Sequence, residues 1–166
     1  MKIKISELVE AATKAITGYG YNPQETKVIL DVLMYAQLRG NNQGVVKLIG
    51  NGIPKREGAA EPSLVKETGV SALVDGNKTH AMVVMRKVTD LAIKKAKESG
   101  VGIAGNFNTD ESTGALGYYV KRVADAGLIG FAFSSAPFQT TAPHGSNEAN
   151  FVQILSLTEF RLNLIQ

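Results

Sequence analysis

The sequence has 166 residues, of which 44% are hydrophobic and 20% charged, and its 18 basic and 15 acidic residues give a net charge of +3. This length is typical of a single domain, and the composition is that of an ordinary globular protein. The charges are dispersed without a basic block, which argues against a nucleic-acid role. The absence of cysteine excludes disulfides, thiol nucleophiles and cysteine metal sites, and is compatible with a reducing cytoplasm.

The first third of the chain predicts helices. The start, MKIKISELVE, has no apolar core or cleavage site of a signal peptide, and apolar positions then recur at helical spacing as far as Gly18. In the string NPQE, Asn22 can cap a second helix, Pro23 fits its first position and Glu25 can reach back to the free amides. A short third helix around residues 45–49 leads into the loop NGIPKREGAAEPS.

The rest of the chain predicts alternating strands and helices. The strings VSALVDG, VGIAGNF and LIGFAFSS read as strands, and AMVVMRKVTDLAIKKAKESG and STGALGYYVKRVADAG as helices that end at Gly100 and Gly127. The lysines of the first of these helices are expected on its solvent face. The longest apolar runs are too short to span a bilayer. The pattern predicts the α/β class, with helices packed on a sheet and the leading helical segment beside it.

The two histidines, His80 and His144, are weak signals on their own. His80 lies between a strand and a helix start, which favours a capping or solvated role over catalysis. His144 lies in APHGS, a loop after a strand, where ligands often bind in α/β proteins. No His-x-x-x-His or carboxylate cluster supports a metal site.

The glycine-bearing strings match neither a Walker loop nor the dinucleotide-binding GxGxxG pattern. In STGALG, Ser112, Thr113 and Gly114 open a predicted helix with free amides and two hydroxyls. Such a helix start can bind a phosphate or carboxylate, but capping of the helix is the more common role of these residues. From the residues alone no reaction is identified.

Several strings together resemble a known family. AQLRGNNQGVVKL, SALVDGN, AIKKAKESGVGIAG, STGALGYYVKRVADAGLIGFAFSSAP and APHGSNEA, in this order, resemble the malate/L-lactate dehydrogenases, NAD(P)-dependent 2-hydroxyacid and imino-acid oxidoreductases unrelated to the Rossmann dehydrogenases. The resemblance runs from about Ile5 to Phe151. It implies an N-terminal helical segment packed with a mixed sheet layered by helices, a homodimer, and members about twice this length.

The departures from the family lie at its catalytic positions. The family's Ser-His-Gly loop, with an arginine three residues after the glycine, corresponds to NNQG, so Gln43 replaces the acid–base histidine and Lys47 the carboxylate-binding arginine. An amide can form hydrogen bonds but cannot act as a general acid, and lysine loses the planar two-pronged grip of arginine on a carboxylate. A second family histidine aligns with Ser112.

The last 15 residues, 152–166, depart from the family's continuation Gly-Thr-Asn-Pro-Ile-Ser-Tyr/Phe-Gly. With suitable synonymous codons, restoring one G after the codon of Phe151 spells Phe-Gly-Thr-Asn-Pro-Ile-Ser-Tyr-Gly-Val. We therefore hypothesise that this tail is the product of a frameshift and that the chain is a truncated family member. Alternatively, FVQILSL forms a C-terminal strand that pairs with the sheet.

The sequence thus predicts three parts, an N-terminal helical segment (1–60), an α/β cofactor-domain portion (61–151) and the divergent tail. The first functional hypothesis is a truncated oxidoreductase homologue with little or no activity alone. The alternatives are an NAD(P)-dependent 2-hydroxyacid or imino-acid reductase that is active as an oligomer, and a non-catalytic ligand-binding or interaction domain. The resemblance implies NAD or NADP as cofactor, 2-oxo or 2-hydroxy acids as ligands, a homo-oligomer and a cytoplasmic location. Its cofactor contacts would be Ser112, Thr113, Gly114, His144, Gly145 and Ser146.

Overall fold

The computed structural model describes residues 3–135 and 153–157, and these form four α-helices, one 3₁₀ helix and five strands. In chain order the elements are α1 (Ile5–Gly18), α2 (Pro23–Gln37), the 3₁₀ helix (Val45–Leu48), β1 (Ser63–Glu67), β2 (Ser71–Asp75), α3 (Ala81–Ser99), β3 (Ile103–Phe107), α4 (Leu116–Asp125), β4 (Phe131–Ser135) and β5 (Gln153–Leu157).

The helices begin and end where local signals predict. At the start of α2, the Asn22 side chain accepts from the Glu25 amide, the Glu25 carboxylate accepts from the Asn22 amide, and Pro23 occupies the first turn. This reciprocal cap satisfies two amides that have no partner within the helix. Gly100 ends α3 in a left-handed conformation with φ of 80°, which glycine adopts without steric cost.

The main core joins all four helices. It brings buried faces of α1, α2 and α4 onto the first turn of α3, so the N-terminal helices and the α/β portion share one apolar interior. Burial of such a continuous cluster is the main source of stability in a domain of this size. Its buried members are Ile16, Tyr21, Ile29, Val32, Leu33, Ile53, Met82, Leu116, Tyr119, Val120 and Ala132.

The mixed sheet has the strand order β1-β2-β3, and the predicted α/β class is confirmed. Strands β2 and β3 are parallel, with Leu73 opposite Gly105, whereas β1 pairs antiparallel with β2. Helix α3 covers one face, where Val74 packs with Val84 and Val88 in a second, smaller core cluster. Strand β1 is absent from the sequence-based prediction because all five of its residues are exposed, so no alternation marks it.

One lysine of α3 lies inside the molecule, which corrects the expectation that the lysines of this helix face solvent. The Lys95 side chain is 6% exposed, and its Nζ lies 2.8 Å from Glu67 Oε1 and 2.6 Å from the Thr68 carbonyl oxygen. Lys95 also lowers the pKa of the Glu67 carboxyl group, first through this hydrogen bond and then through its charge. A buried ammonium requires such partners, and these come from the end of β1.

The described part of the tail, residues 153–157, forms a strand, as predicted for FVQILSL. Strand β5 pairs antiparallel with β4, from Phe131 opposite Leu157 to Ser135 opposite Gln153. The two strands form a separate sheet and do not extend β1-β2-β3. Phe151 and Val152, which were included in the predicted strand, lie outside the described residues. Within the described ranges, no helix has the length and apolar character needed to cross a membrane.

A test of the packing between α2, α3 and the loop before α4 is the substitution Gly114→Ala. Gly114 has φ of +69°, and a Cβ there would lie 2.7 Å from Val32 Cγ1 and 3.0 Å from Met82 Cε. The variant should lose about 3 kcal/mol of unfolding free energy, from left-handed strain plus overpacking. Gly127→Ala is the matched control, with φ of +78° and nothing within 4 Å of its added Cβ, and should lose about 1 kcal/mol. Urea denaturation measures both, and equal losses would contradict the contact with Val32 and Met82.

Candidate active site

The candidate site lies at the carboxyl ends of the parallel strands β2 and β3. The loop after β2 carries His80 and the loop after β3 carries Asp110, and these two residues form a parallel backbone bridge. The Ala81 amide donates to the Asp110 carbonyl at 2.7 Å, and the Asp110 amide donates to the Thr79 carbonyl at 3.1 Å. Loops at this edge of an open α/β sheet commonly form ligand sites.

A third loop, residues 41–44, approaches this edge and is held by its own side chains. The Asn41 carboxamide oxygen accepts from the Gln43 amide at 2.8 Å, and the Gln37 carboxamide oxygen accepts from the Val45 amide at 3.2 Å. Gly44 lies so close to Gln37 that a Cβ there would be 2.6 Å from its Oε1. The end of α2 therefore fixes the position of Gln43 and of the 3₁₀ helix that follows.

Two of the predicted site residues meet here although 69 positions separate them in the chain. The Ser112 hydroxyl donates to the Gln43 carboxamide oxygen at 3.4 Å. Both side chains are half-buried. They occupy the two positions where the resemblance places histidines, so an amide and a hydroxyl stand where the family has two imidazoles.

The loop of residues 111–114 precedes α4 and does not cap it, which corrects the expected capping role of Ser112 and Thr113. Helix α4 begins at Leu116, and its N-cap residue, Ala115, forms no side-chain hydrogen bond. Ser112 Oγ instead accepts from the Gly114 amide at 3.0 Å, and the buried Tyr119 hydroxyl donates to the Thr113 carbonyl at 2.7 Å. The loop is thus anchored from below by Tyr119.

Lys47, the predicted carboxylate-binding residue, lies on the 3₁₀ helix that follows the loop of Gln43. Its side chain is half-buried, and its ammonium group forms no ion pair or hydrogen bond with any described residue. Burial lowers the pKa of Lys47, and the nearby Glu111 carboxylate partly offsets this shift. Glu111 is exposed and has φ of +61°, an unusual backbone conformation for a residue other than glycine. A half-buried ammonium without a direct partner is suited to binding an anion.

His80 lies deeper, beneath these loops, and caps α3. Its Nδ1 accepts from the Met82 amide at 3.1 Å, which confirms the capping role and places the proton of the neutral ring on Nε2. The residue is 3% exposed, in contrast to the solvated alternative, and its Nε2 is buried without a hydrogen-bond partner among the described residues. Burial lowers the pKa of His80 to about 4, although Asp110 and Glu25 raise it, and Lys47 lowers it further.

An aromatic side chain and two ion pairs surround His80. The ring of Tyr21, itself 4% exposed, meets the imidazole edge to face at 5.8 Å. Burial, followed by the charges of Glu111, Asp110 and Glu25, raises the pKa of Tyr21. Asp110 and Glu25 are each held by a cation, through the ion pairs Arg56–Asp110 at 2.7 Å and Lys55–Glu25 at 2.8 Å.

Three further residues are predicted cofactor contacts. His144, Gly145 and Ser146 lie outside the described residues. Among the residues that are described, no group of three or more histidines, aspartates and glutamates could hold a metal ion.

A groove of about 750 Å³ lies elsewhere, between α2, α3 and α4, and shares no residue with the site above. Its charged lining is mostly paired internally, as in Arg122–Asp90 and Lys121–Asp125. The strand-end site is the stronger candidate because it contains a buried nitrogen, His80 Nε2, that has no hydrogen-bond partner among the described residues. The charged and aromatic residues along the groove are Asp31, Tyr35, Asp90, Lys94, Lys97, Tyr118, Lys121, Arg122 and Asp125.

Comparison with known proteins gives one consistent result. The family model for malate/L-lactate dehydrogenase matches residues 3–152. A malate dehydrogenase of Pyrococcus abyssi is 31% identical over 153 residues, covering 89% of this chain and 42% of the relative. The L-sulfolactate dehydrogenase of Methanocaldococcus jannaschii is 30% identical over 139 residues, covering 78% of this chain and 39% of the relative. A solved sulfolactate dehydrogenase structure from the same organism superimposes with a TM-score of 0.77 at 27% identity, covering 93% of this chain and 46% of that one. The chain therefore spans less than half the length of these relatives.

The pH dependence of stability tests the environment of His80. Because its pKa falls from 6.5 to about 4 on folding, the unfolded chain binds this proton more readily than the folded one. Stability should be complete above about pH 6.5 and fall by about 3 kcal/mol as the pH decreases to about 4. His80→Asn keeps a capping oxygen but removes the titration. Chemical denaturation across this pH range should give a shallower slope for the variant, and identical slopes would contradict the buried neutral imidazole.

Proposed function

The chain belongs to the malate/L-lactate dehydrogenase family, and on that premise we propose that it retains the acid-binding side of an oxidoreductase site. The ligands are 2-oxo or 2-hydroxy acids, and the chain by itself has little or no catalytic activity. The half-buried Lys47 ammonium, which has no ion-pair or hydrogen-bond partner among the described residues, is the observation that supports this proposal most strongly.

Lys47 binds the ligand carboxylate in this proposal. A single ammonium holds an anion as a point charge and does not impose the two-point geometry of a guanidinium. Lys47 therefore supports binding of the acid with a looser orientation than an arginine would give. The Glu111 carboxylate interacts with the same ammonium through its charge. Its negative charge would repel a second carboxylate on the ligand, so the site favours monocarboxylates over dicarboxylates.

Gln43 and Ser112 contact the oxygen-bearing end of the ligand. Reduction of a 2-oxo acid requires a proton at the C2 oxygen, and neither a carboxamide nor a serine hydroxyl supplies one near neutral pH. Gln43 and Ser112 can still orient the ligand through hydrogen bonds. General acid catalysis commonly contributes a factor of about 10²–10⁴ in rate, and this factor is missing here.

The family implies NAD(P) as the hydride carrier, but the described residues form no complete site for it. Ser112 is already bonded to Gln43 and Gly114, and the Gly114 amide is bonded to Ser112. Three of the six predicted contacts are described, and among these only the Thr113 hydroxyl forms no hydrogen bond with a described residue. Thr113 is the proposed cofactor contact among the described residues. The homo-oligomer and the cytoplasmic location stay predictions from the resemblance.

Binding of a small 2-oxo acid tests the role of Lys47. Millimolar pyruvate should raise the melting temperature of the chain, because a ligand that binds only the folded state stabilises it. Lys47→Met should abolish this increase, and Lys47→Arg should preserve or enlarge it. Lys27→Met is the matched control, since Lys27 is an equally charged residue that pairs with Asp31 at the surface. An increase that survives Lys47→Met would remove Lys47 from the site.

Turnover tests the loss of the proton donor. Purified chain mixed with NADH or NADPH and pyruvate or oxaloacetate should show no oxidation at ordinary enzymatic rates of about 1–10³ per second. The malate dehydrogenase of Pyrococcus abyssi serves as a positive control in the same assay. Turnover at such rates would overturn the proposed inactivity and support the alternative of an active oligomeric reductase, whereas binding without turnover would support the ligand-binding function.

A further inference from the structure

We propose that His80 is a specificity-determining residue of this site, whose Nε2–H donates a hydrogen bond to the C2 oxygen of a 2-oxo acid held by Lys47. This inference rests on the proposed function and adds a ligand contact that the resemblance does not assign. The starting observation is the one buried side-chain nitrogen without a hydrogen-bond partner among the described residues.

A buried donor without a partner is costly. Removing an N–H group from water without a replacement hydrogen bond destabilises a protein by about 1–3 kcal/mol. Such groups are rare in folded chains, and each requires a structural or functional explanation. A partner that enters from outside the chain supplies that explanation for His80.

The orientation of the ring is fixed by the helix. Because Nδ1 accepts from the Met82 amide in the first turn of α3, Nε2 on the opposite side of the ring points away from that turn. The tautomer is fixed by the same hydrogen bond, so Nε2 always carries a proton in the neutral ring. His80 thus presents a donor that does not change its charge near neutral pH.

The surroundings of His80 supply the rest of a 2-oxo acid site. The charge of Lys47 contributes to the lowered pKa of His80, and the backbone bridge places Asp110 and the loop that carries Ser112 beside His80. The Tyr21 ring contacts the imidazole, and the Tyr21 hydroxyl also has no hydrogen-bond partner among the described residues. In this proposal the Lys47 ammonium binds the carboxylate of the 2-oxo acid, and the neutral donors, the His80 Nε2–H and the Tyr21 hydroxyl, suit its carbonyl oxygen.

Because Nε2 is closed to solvent, a neighbouring side chain has to move before a ligand can reach it. A neutral donor of this kind favours ligands with an oxygen at C2 over plain carboxylic acids, since only the former satisfy it.

Nitrogen NMR of the imidazoles compares two acids that differ by one oxygen, pyruvate and propionate. His80→Asn assigns the His80 signals, because the sequence contains one other histidine, His144. We expect pyruvate to shift the His80 Nε2 and its proton, and propionate to leave both unchanged. His80→Asn should weaken pyruvate binding by about tenfold while leaving propionate affinity unchanged, as expected for the loss of one hydrogen bond.

The remaining outcomes separate this inference from the proposed function. If pyruvate binds in a Lys47-dependent manner but the His80 signals do not move, Nε2 is satisfied by an internal water, and only the inference on His80 is overturned. If His80→Asn weakens both acids equally, the residue acts through the fold and does not determine specificity. If neither acid binds to the unmodified chain, the proposed function and this inference are both wrong.

Discussion

The backbone bridge between His80 and Asp110 is the constraint on which the candidate site depends. The bridge joins the loops that follow the parallel strands β2 and β3. It thereby places the α3 cap His80, the carboxylate of Asp110 and the loop that leads to α4 at one edge of the sheet. The ion pair of Asp110 with Arg56 extends the same connection to the segment before β1. Since these contacts are mostly between backbone groups, the arrangement tolerates substitution of the side chains that it displays.

That tolerance explains how a family fold can persist while its chemistry changes. The scaffold that brings Gln43 to Ser112 is built from the end of α2, the Asn41 turn and the anchor of Tyr119 on the Thr113 carbonyl. None of these contacts requires an imidazole at position 43 or 112. The fold therefore shows descent from an oxidoreductase family more directly than it shows retention of the reaction.

The sequence predicts elements with local signals well and the environment of single side chains poorly. The cap of α2 and the end of α3 at Gly100 follow from residue types within one turn of the chain. Strand β1 was missed because its side chains lack an alternating pattern, and Lys95 was misplaced because its partners lie 27 and 28 residues away. The resemblance singles out positions 43 and 112, but the contact between their side chains is a finding of the structure. The unpaired Nε2 of His80 depends on Tyr21 and Met82 together, which no spacing rule reveals.

The exposed strand β1 also has a consequence for how the molecule opens. No side chain of β1 belongs to either core cluster. Beyond its pairing with β2, the strand is attached through Lys95 at one end and through a hydrogen bond from Asn77 to Ser63 at the other. Peeling of this strand would leave both apolar interiors intact while uncovering the backbone edge of β2. The bulge between Leu64 and Lys66 lies in β1 itself and makes the outer edge of β1 a less regular template for another chain. The irregular outermost strand thus disfavours pairing of the folded sheet with another chain, whereas loss of β1 would expose the regular edge of β2.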